Sequence, residues 1–215
     1  MSVQEFSLAD RFDLTKRHVL LNGTQALVRL MLMQAARDKA AGLDTAGFVT
    51  GYRGSPLGSV DLQMVKSKKE LSAANVLFQP GLNEDLAATS IWGSQQAELR
   101  GEGKHDGVFA LWYGKGPGVD RTGDVMRHAN MAGSSRHGGV VMAMGDDHTG
   151  ESSTVLHQSD HAFMSALMRA WSLRNSFNTR SASSPISCPA NSSGAVSAKL
   201  RPNCTPLPWT SAPSS

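Results

Sequence analysis

Glu84 is the residue whose type and place in this sequence best suit chemistry. It opens Asn83-Glu84-Asp85-Leu86-Ala87-Ala88-Thr89-Ser90-Ile91-Trp92-Gly93, a stretch that otherwise suits a helix packed on a core. An apolar run closed by Pro80-Gly81 comes just before it. A carboxylate in the first turn of a helix has an ordinary use, because it complements the positive end of the helix dipole. It has a second use where Gly-containing loops share its rim, since a bound molecule can dock on it there.

Three other stretches compete for attention. Gly51-Tyr52-Arg53-Gly54-Ser55-Pro56-Leu57-Gly58 supplies small residues whose backbone N–H groups can face a ligand, with the Ser55 hydroxyl beside them. It lacks the Gly-Lys-Ser/Thr step of a P-loop and the spaced glycines of a dinucleotide site. Taken alone, it also fits a plain strand-to-helix turn. Gly114-Lys115-Gly116-Pro117-Gly118 sets three glycines in five residues. Lys115 is not followed by Ser or Thr, so a flexible rim loop is expected there.

Asp146, Asp147 and His148 offer oxygen and nitrogen donors. Three consecutive residues at a strand end do not all point one way, and no second cluster completes them. A rim or structural role is expected rather than a metal centre. His157 and His161 stand four apart, without the glutamate of a zinc-protease motif, which favours ion-pairing or capping. Cys188 and Cys204 form no CxxC and show no metal spacing.

These residues need a scaffold that gathers them. Short apolar runs at 46–51, 75–80, 107–114 and 138–147 read as strands. Between them, 23–42, 60–74, 83–99 and 120–132 carry helix formers with apolar residues at helical spacing. A further helix is expected to begin at 159–168. Strands alternating with helices predict an α/β domain: an open, mainly parallel sheet with helices on both faces. Ligands of such sheets sit outside the carboxyl ends of the strands. All four unusual stretches fall at those ends.

Charge narrows the function classes. The net charge of +3 belongs to the C-terminal part. Residues 1–169 hold 17 Lys and Arg against 18 Asp and Glu, whereas 170–215 hold four basic residues and no acid. Four scattered charges make no nucleic-acid patch. No run of 18 apolar residues exists, so no membrane span is expected. The first residues carry acids and no long apolar segment, so no signal peptide is expected and a cytoplasmic location is.

Residues 170–215 contain 12 Ser and 6 Pro and show no periodicity, so a disordered tail is expected. The change of texture falls inside an expected amphipathic helix. A natural linker and a reading-frame shift near Leu167 both account for it, and domain boundaries seldom cut a helix. The expected organisation is an N-terminal extension (1–17), an α/β domain (18–169) and the tail (170–215).

Taken together, GYRGSPLGSVD, FQPGLNEDLAATSIWGSQQ, GVFALWYGKGPGVDRTGDVMRHAN and GDDHTGESSTVLHQSDHAF resemble the N-terminal region of the indolepyruvate ferredoxin oxidoreductases. The likeness is to the long fused form, within the 2-oxoacid:ferredoxin oxidoreductases, and runs from about Asp13 to Leu167 in the family's order. It implies a thiamine diphosphate-binding fold, the pyrimidine domain. It implies that Glu84, in its Asn83-Glu84 pair, hydrogen-bonds N1′ of the aminopyrimidine. A carboxyl partner there favours the imino form, which serves as an internal base. By the same resemblance Gly51, Tyr52, Ser55, Pro56 and Asn83 face the cofactor. Arg53, Ser55 and Lys115 face the substrate, an aryl 2-oxoacid such as indolepyruvate, with Arg53 as a bidentate carboxylate clamp.

The implied reaction is oxidative decarboxylation to an acyl-coenzyme A, with electrons passed through [4Fe-4S] clusters to ferredoxin. The family's GDG…Asn motif, which holds magnesium and the diphosphate, does not occur in this sequence, and neither does a CxxC cluster-ligand set. The resemblance therefore implies a chain inactive alone, whose site is completed by a diphosphate-binding domain or subunit in an oligomer. Two alternatives stand beside a truncated enzyme: a separate small subunit with a diphosphate-binding partner, and a non-catalytic interaction module.

Overall fold

Four parallel strands form one sheet in the computed structural model, which describes residues 7–54 and 57–145 of the chain. The strands are β1 (Thr45–Gly51), β2 (Val76–Phe78), β3 (Gly107–Lys115) and β4 (Gly139–Gly145). Their order is β2-β1-β3-β4, and every pairing is parallel. The fold is therefore α/β, with an open, wholly parallel sheet.

β3 shows why a strand can be apolar throughout. Phe109, Leu111 and Tyr113 point to one face, Ala110 and Trp112 to the other, and all five are buried. Helices cover both faces, so the run needs no polar side. On the first face lie α1 (Gly23–Ala40), α2 (Ser59–Lys66) and α3 (Lys68–Ala73), which contribute Met31, Val60, Met64 and Leu71. On the second lie α4 (Glu84–Gln96), α5 (Gly116–Arg121) and α6 (Gly123–Ala132), which contribute Ala88, Ile91, Val119 and Met126.

The element ends have local causes. Asn22 caps α1: its side-chain oxygen accepts from Gln25 N at 2.8 Å, and Gln25 returns a bond to Asn22 N. The expected closing glycine, Gly42, takes a left-handed φ of 75°, two residues beyond the end of the helix. The single helix expected over 120–132 is two helices meeting at Thr122. Its hydroxyl donates to the carbonyls of Gly118 (2.9 Å) and Val119 (3.0 Å), offering the preceding turn a different partner. The helix expected over 60–74 also divides, at buried Ser67. Val60, Met64 and Leu71 still share one face, and no residue type marks that break.

Residues 7–17 lie on α1. Ser7 caps a short 3-10 turn, Leu8–Phe12, and buried Arg29 holds the chain that follows. The Arg29 guanidinium donates to the carbonyls of Asp10, Arg11, Asp13 and Lys16 at 2.9–3.2 Å. The helix expected at 159–168 and the tail 170–215 lie outside the described residues. No helix among the described residues is long and apolar enough to cross a membrane.

Candidate functional site

The strand order fixes where a site can form. From β1 the chain crosses to β2 on one side, then returns to β3 on the other. The loops leaving β1 and β3 therefore part in opposite directions, and the crevice between them is the switch point of the sheet. Three of the four chemically unusual stretches meet there.

Backbone bonds tie them together. Gly81 N donates to Gly51 O at 2.8 Å, which joins the loop before α4 to the end of β1. Tyr52 N donates to Tyr113 O at 3.1 Å, which joins the loop after β1 to the end of β3. The Trp112 indole donates to Glu84 O at 3.3 Å and pins the first residue of α4 to β3. Gly54 packs on Lys115: a β-carbon at Gly54 would lie 3.4 Å from Lys115 Cβ. The aliphatic part of Lys115 thus lies beside the loop that carries Arg53.

Asn83, Glu84 and Asp85 separate into three tasks. Asn83 caps α4, its side-chain oxygen accepting from Leu86 N at 2.8 Å. Asp85 pairs with Arg121 of α5 through two bonds, at 2.9 and 3.2 Å. The carboxylate of Glu84 is half-buried and accepts no hydrogen bond from a described residue. It stands against Gly118 of α5, where a β-carbon would collide with Cγ, Cδ and Oε1 of Glu84. Only glycine leaves room for the acid in this place.

Around this acid, the other residues singled out in the sequence fall as follows. Gly51 ends β1, buried beneath the Tyr113 ring. Tyr52 and Arg53 are exposed on the rim. Lys115 ends β3 and is half-buried. Ser55, Pro56, Asp146, Asp147, His148, His157, His161, Cys188 and Cys204 lie outside the described residues. Among the described residues no group of three His, Cys, Asp or Glu could hold a metal ion.

Sequence reasoning missed the supports of the site. The glycine-rich segment after β3 is the helix α5, not a loop, with Gly116 and Gly118 buried and Pro117 in its first turn. Pro117 was the available signal, because proline favours the first turn of a helix. Gly118 earns its importance from Glu84, 34 residues earlier, and only the topology brings them together. Asp61 was also missed. Its carboxylate accepts from the buried Tyr113 hydroxyl at 2.5 Å and so ties α2 to the end of β3.

Burial, reinforced by the bond to Asp61, drives the Tyr113 phenol well above the usual tyrosine value. An unfolded tyrosine ionises near pH ~10 while folded Tyr113 stays protonated, so this contribution to stability is full below that pH and declines above it. Urea midpoints measured between neutral pH and pH 11 should fall in the parent and fall less steeply in Tyr113→Phe. An identical alkaline decline in both proteins would mean that Tyr113 plays no part in it.

No family model, curated protein or solved structure matches the chain. The function must be argued from the site.

Proposed function

We propose that this domain is one half of a thiamine diphosphate site, belonging to an oxidoreductase that decarboxylates aryl 2-oxoacids such as indolepyruvate and passes electrons to ferredoxin. The observation that carries the reading is the Glu84 carboxylate at the switch point, which accepts no hydrogen bond from a described residue while Asn83 and Asp85 beside it are both engaged. A half-buried carboxylate that no described residue satisfies suits a ligand N–H.

The residues present fit the aminopyrimidine end of the cofactor. Glu84 supplies the acceptor for N1′, and Gly118 leaves it room. The cofactor supplies an electron sink for decarboxylation. Glu84 orients the ring and holds a proton at N1′. Arg53, exposed on the rim, offers its planar fork to a 2-oxoacid carboxylate, and Lys115 lies beside its loop. Leu82 and Leu86 flank the acid and are 84% and 50% exposed. Apolar surface around a ligand acid suits burial by a second domain or subunit that holds the diphosphate and magnesium. Coenzyme A and the [4Fe-4S] clusters belong to further parts of the same assembly.

The test is complementation. The chain is combined with the diphosphate-binding, cluster-bearing remainder of a fused oxidoreductase, and indolepyruvate-dependent ferredoxin reduction is followed. Turnover should appear only in the combination. Glu84→Ala should lower it by roughly 100-fold or more, the scale of acid–base assistance. Gly118→Ala should lower it too while keeping the fold, because its methyl group evicts the Glu84 side chain. Full turnover by the Glu84→Ala combination would sink the reading. Absence of turnover in every combination would favour an interaction module.

A further inference from the structure

A second concavity lies at the opposite end of the sheet. It is a hollow of about 730 Å³ at the amino end of β1, within the usual ~300–1,000 Å³ of small-molecule sites. Phe12 and Leu14, from the segment that Arg29 holds, form one wall. Leu32 of α1 and Leu43 before β1 continue the apolar lining. Glu70 of α3 lies among them.

Glu70 is the unusual member. One carboxylate oxygen is shut off from solvent and has no hydrogen-bond partner. No cation among the described residues lies within ion-pair distance of the side chain. Lys39 lines the same hollow from α1 and forms no ion pair with Glu70. Glu70 itself is half-buried, so its other oxygen stays accessible, and a cation pairing with it offsets the poor solvation of the carboxylate. Asp44 adds a second, largely exposed acid to the lining, its carboxylate 3.3 Å from the His105 imidazole.

We propose that this hollow binds a small primary amine with an apolar body, its ammonium paired with Glu70. The apolar walls take the hydrocarbon part. Neither acid is shared with the Glu84 crevice. Seven-residue β1 separates the two places by roughly 20 Å at about 3.3 Å per residue, so the inference does not rest on the thiamine diphosphate reading.

The probe is phenethylamine, titrated calorimetrically into the full chain near neutral pH. Saturable binding is expected. Phenethyl alcohol, the same size without charge, should bind at least tenfold more weakly. Glu70→Gln should lose at least tenfold for the amine. Ala73→Trp should abolish binding while circular dichroism stays unchanged, because Ala73 lines the hollow from an exposed position and the indole fills it. Glu84→Ala should bind phenethylamine as the parent does, so this test and that of the cofactor reading fail separately.

Phenylalanine carries the same ammonium and ring together with a carboxylate. Tighter binding than phenethylamine, with the gain lost in Lys39→Ala, would identify an amino acid as the ligand. Weaker binding would identify a simple amine. The proposal is overturned if phenethylamine does not bind at about 10 mM, or if Glu70→Gln binds it as well as the parent.

Discussion

Replacing Gly51 by alanine should destabilise the domain by about 3 kcal/mol, at the upper end of what overpacking a core costs. Gly51 is the last residue of β1 and pairs with Tyr113 across the parallel ladder. A β-carbon there would collide with the Tyr113 carbonyl oxygen and sit 2.6 Å from two atoms of its ring. Neither obstacle can step aside cheaply. The carbonyl accepts from Tyr52 N, and the ring is held by the hydroxyl bond to Asp61. The strand ends must therefore separate, and the Gly81–Gly51 bond that positions the α4 loop goes with them.

The contrast with Gly118 makes the test sharp. There the obstacle is the far end of one flexible side chain, so Gly118→Ala should cost little stability and chiefly move Glu84. Chemical denaturation of both variants separates the cases. A Gly51→Ala protein within about 1 kcal/mol of the parent would show that the β1–β3 contact is looser than drawn. The sequence likeness assigned Gly51 to the cofactor, but its tight fit beneath Tyr113 is already reason enough for glycine.

The scaffold was legible because its main strands are apolar along their length. β1 and β3 fall within one residue of the expected 46–51 and 107–114, and β4 begins one residue after the expected 138. β2 was the weak case. It keeps only three residues, and exposed Leu77 sits between Val76 and Phe78. An edge strand buries fewer of its side chains, so its pattern is diluted. Glu84 at the start of α4 was legible from Pro80-Gly81 and the Asn83 cap, which are local signals. What surrounds it was not. Trp112, Gly118 and Arg121 reach Glu84 and Asp85 from elements 28 to 36 residues away, and no local pattern encodes such meetings. The division of α2 from α3 was equally hidden, since the apolar spacing runs through it unchanged.

Arg29→Met should cost about 3 kcal/mol, although it replaces a charged core residue by an apolar one of similar length. Swapping a buried ion pair for hydrophobic residues is often neutral, but Arg29 has no such pair. No described carboxylate meets its guanidinium. Asp10 and Asp13, whose carbonyls are among its acceptors, turn their carboxylates elsewhere, to Lys16 and to Thr15, each at 2.6 Å. The partners are four main-chain carbonyls between Asp10 and Lys16, three of them on one nitrogen. Methionine fills the volume and satisfies none of them. The segment must then expose those carbonyls to water by leaving α1.

Two readouts separate that release from general unfolding. Hydrogen exchange or limited proteolysis should open residues 7–17 in Arg29→Met before it opens β3. Arg29→Lys should recover only part of the loss, because an ammonium lacks the planar fork that reaches four acceptors at once. Phenethylamine affinity should drop with it, since the departing segment takes Phe12 and Leu14 from the hollow. If Arg29→Met keeps the parent's urea midpoint and the parent's protection over 7–17, the guanidinium is not what holds the segment in place.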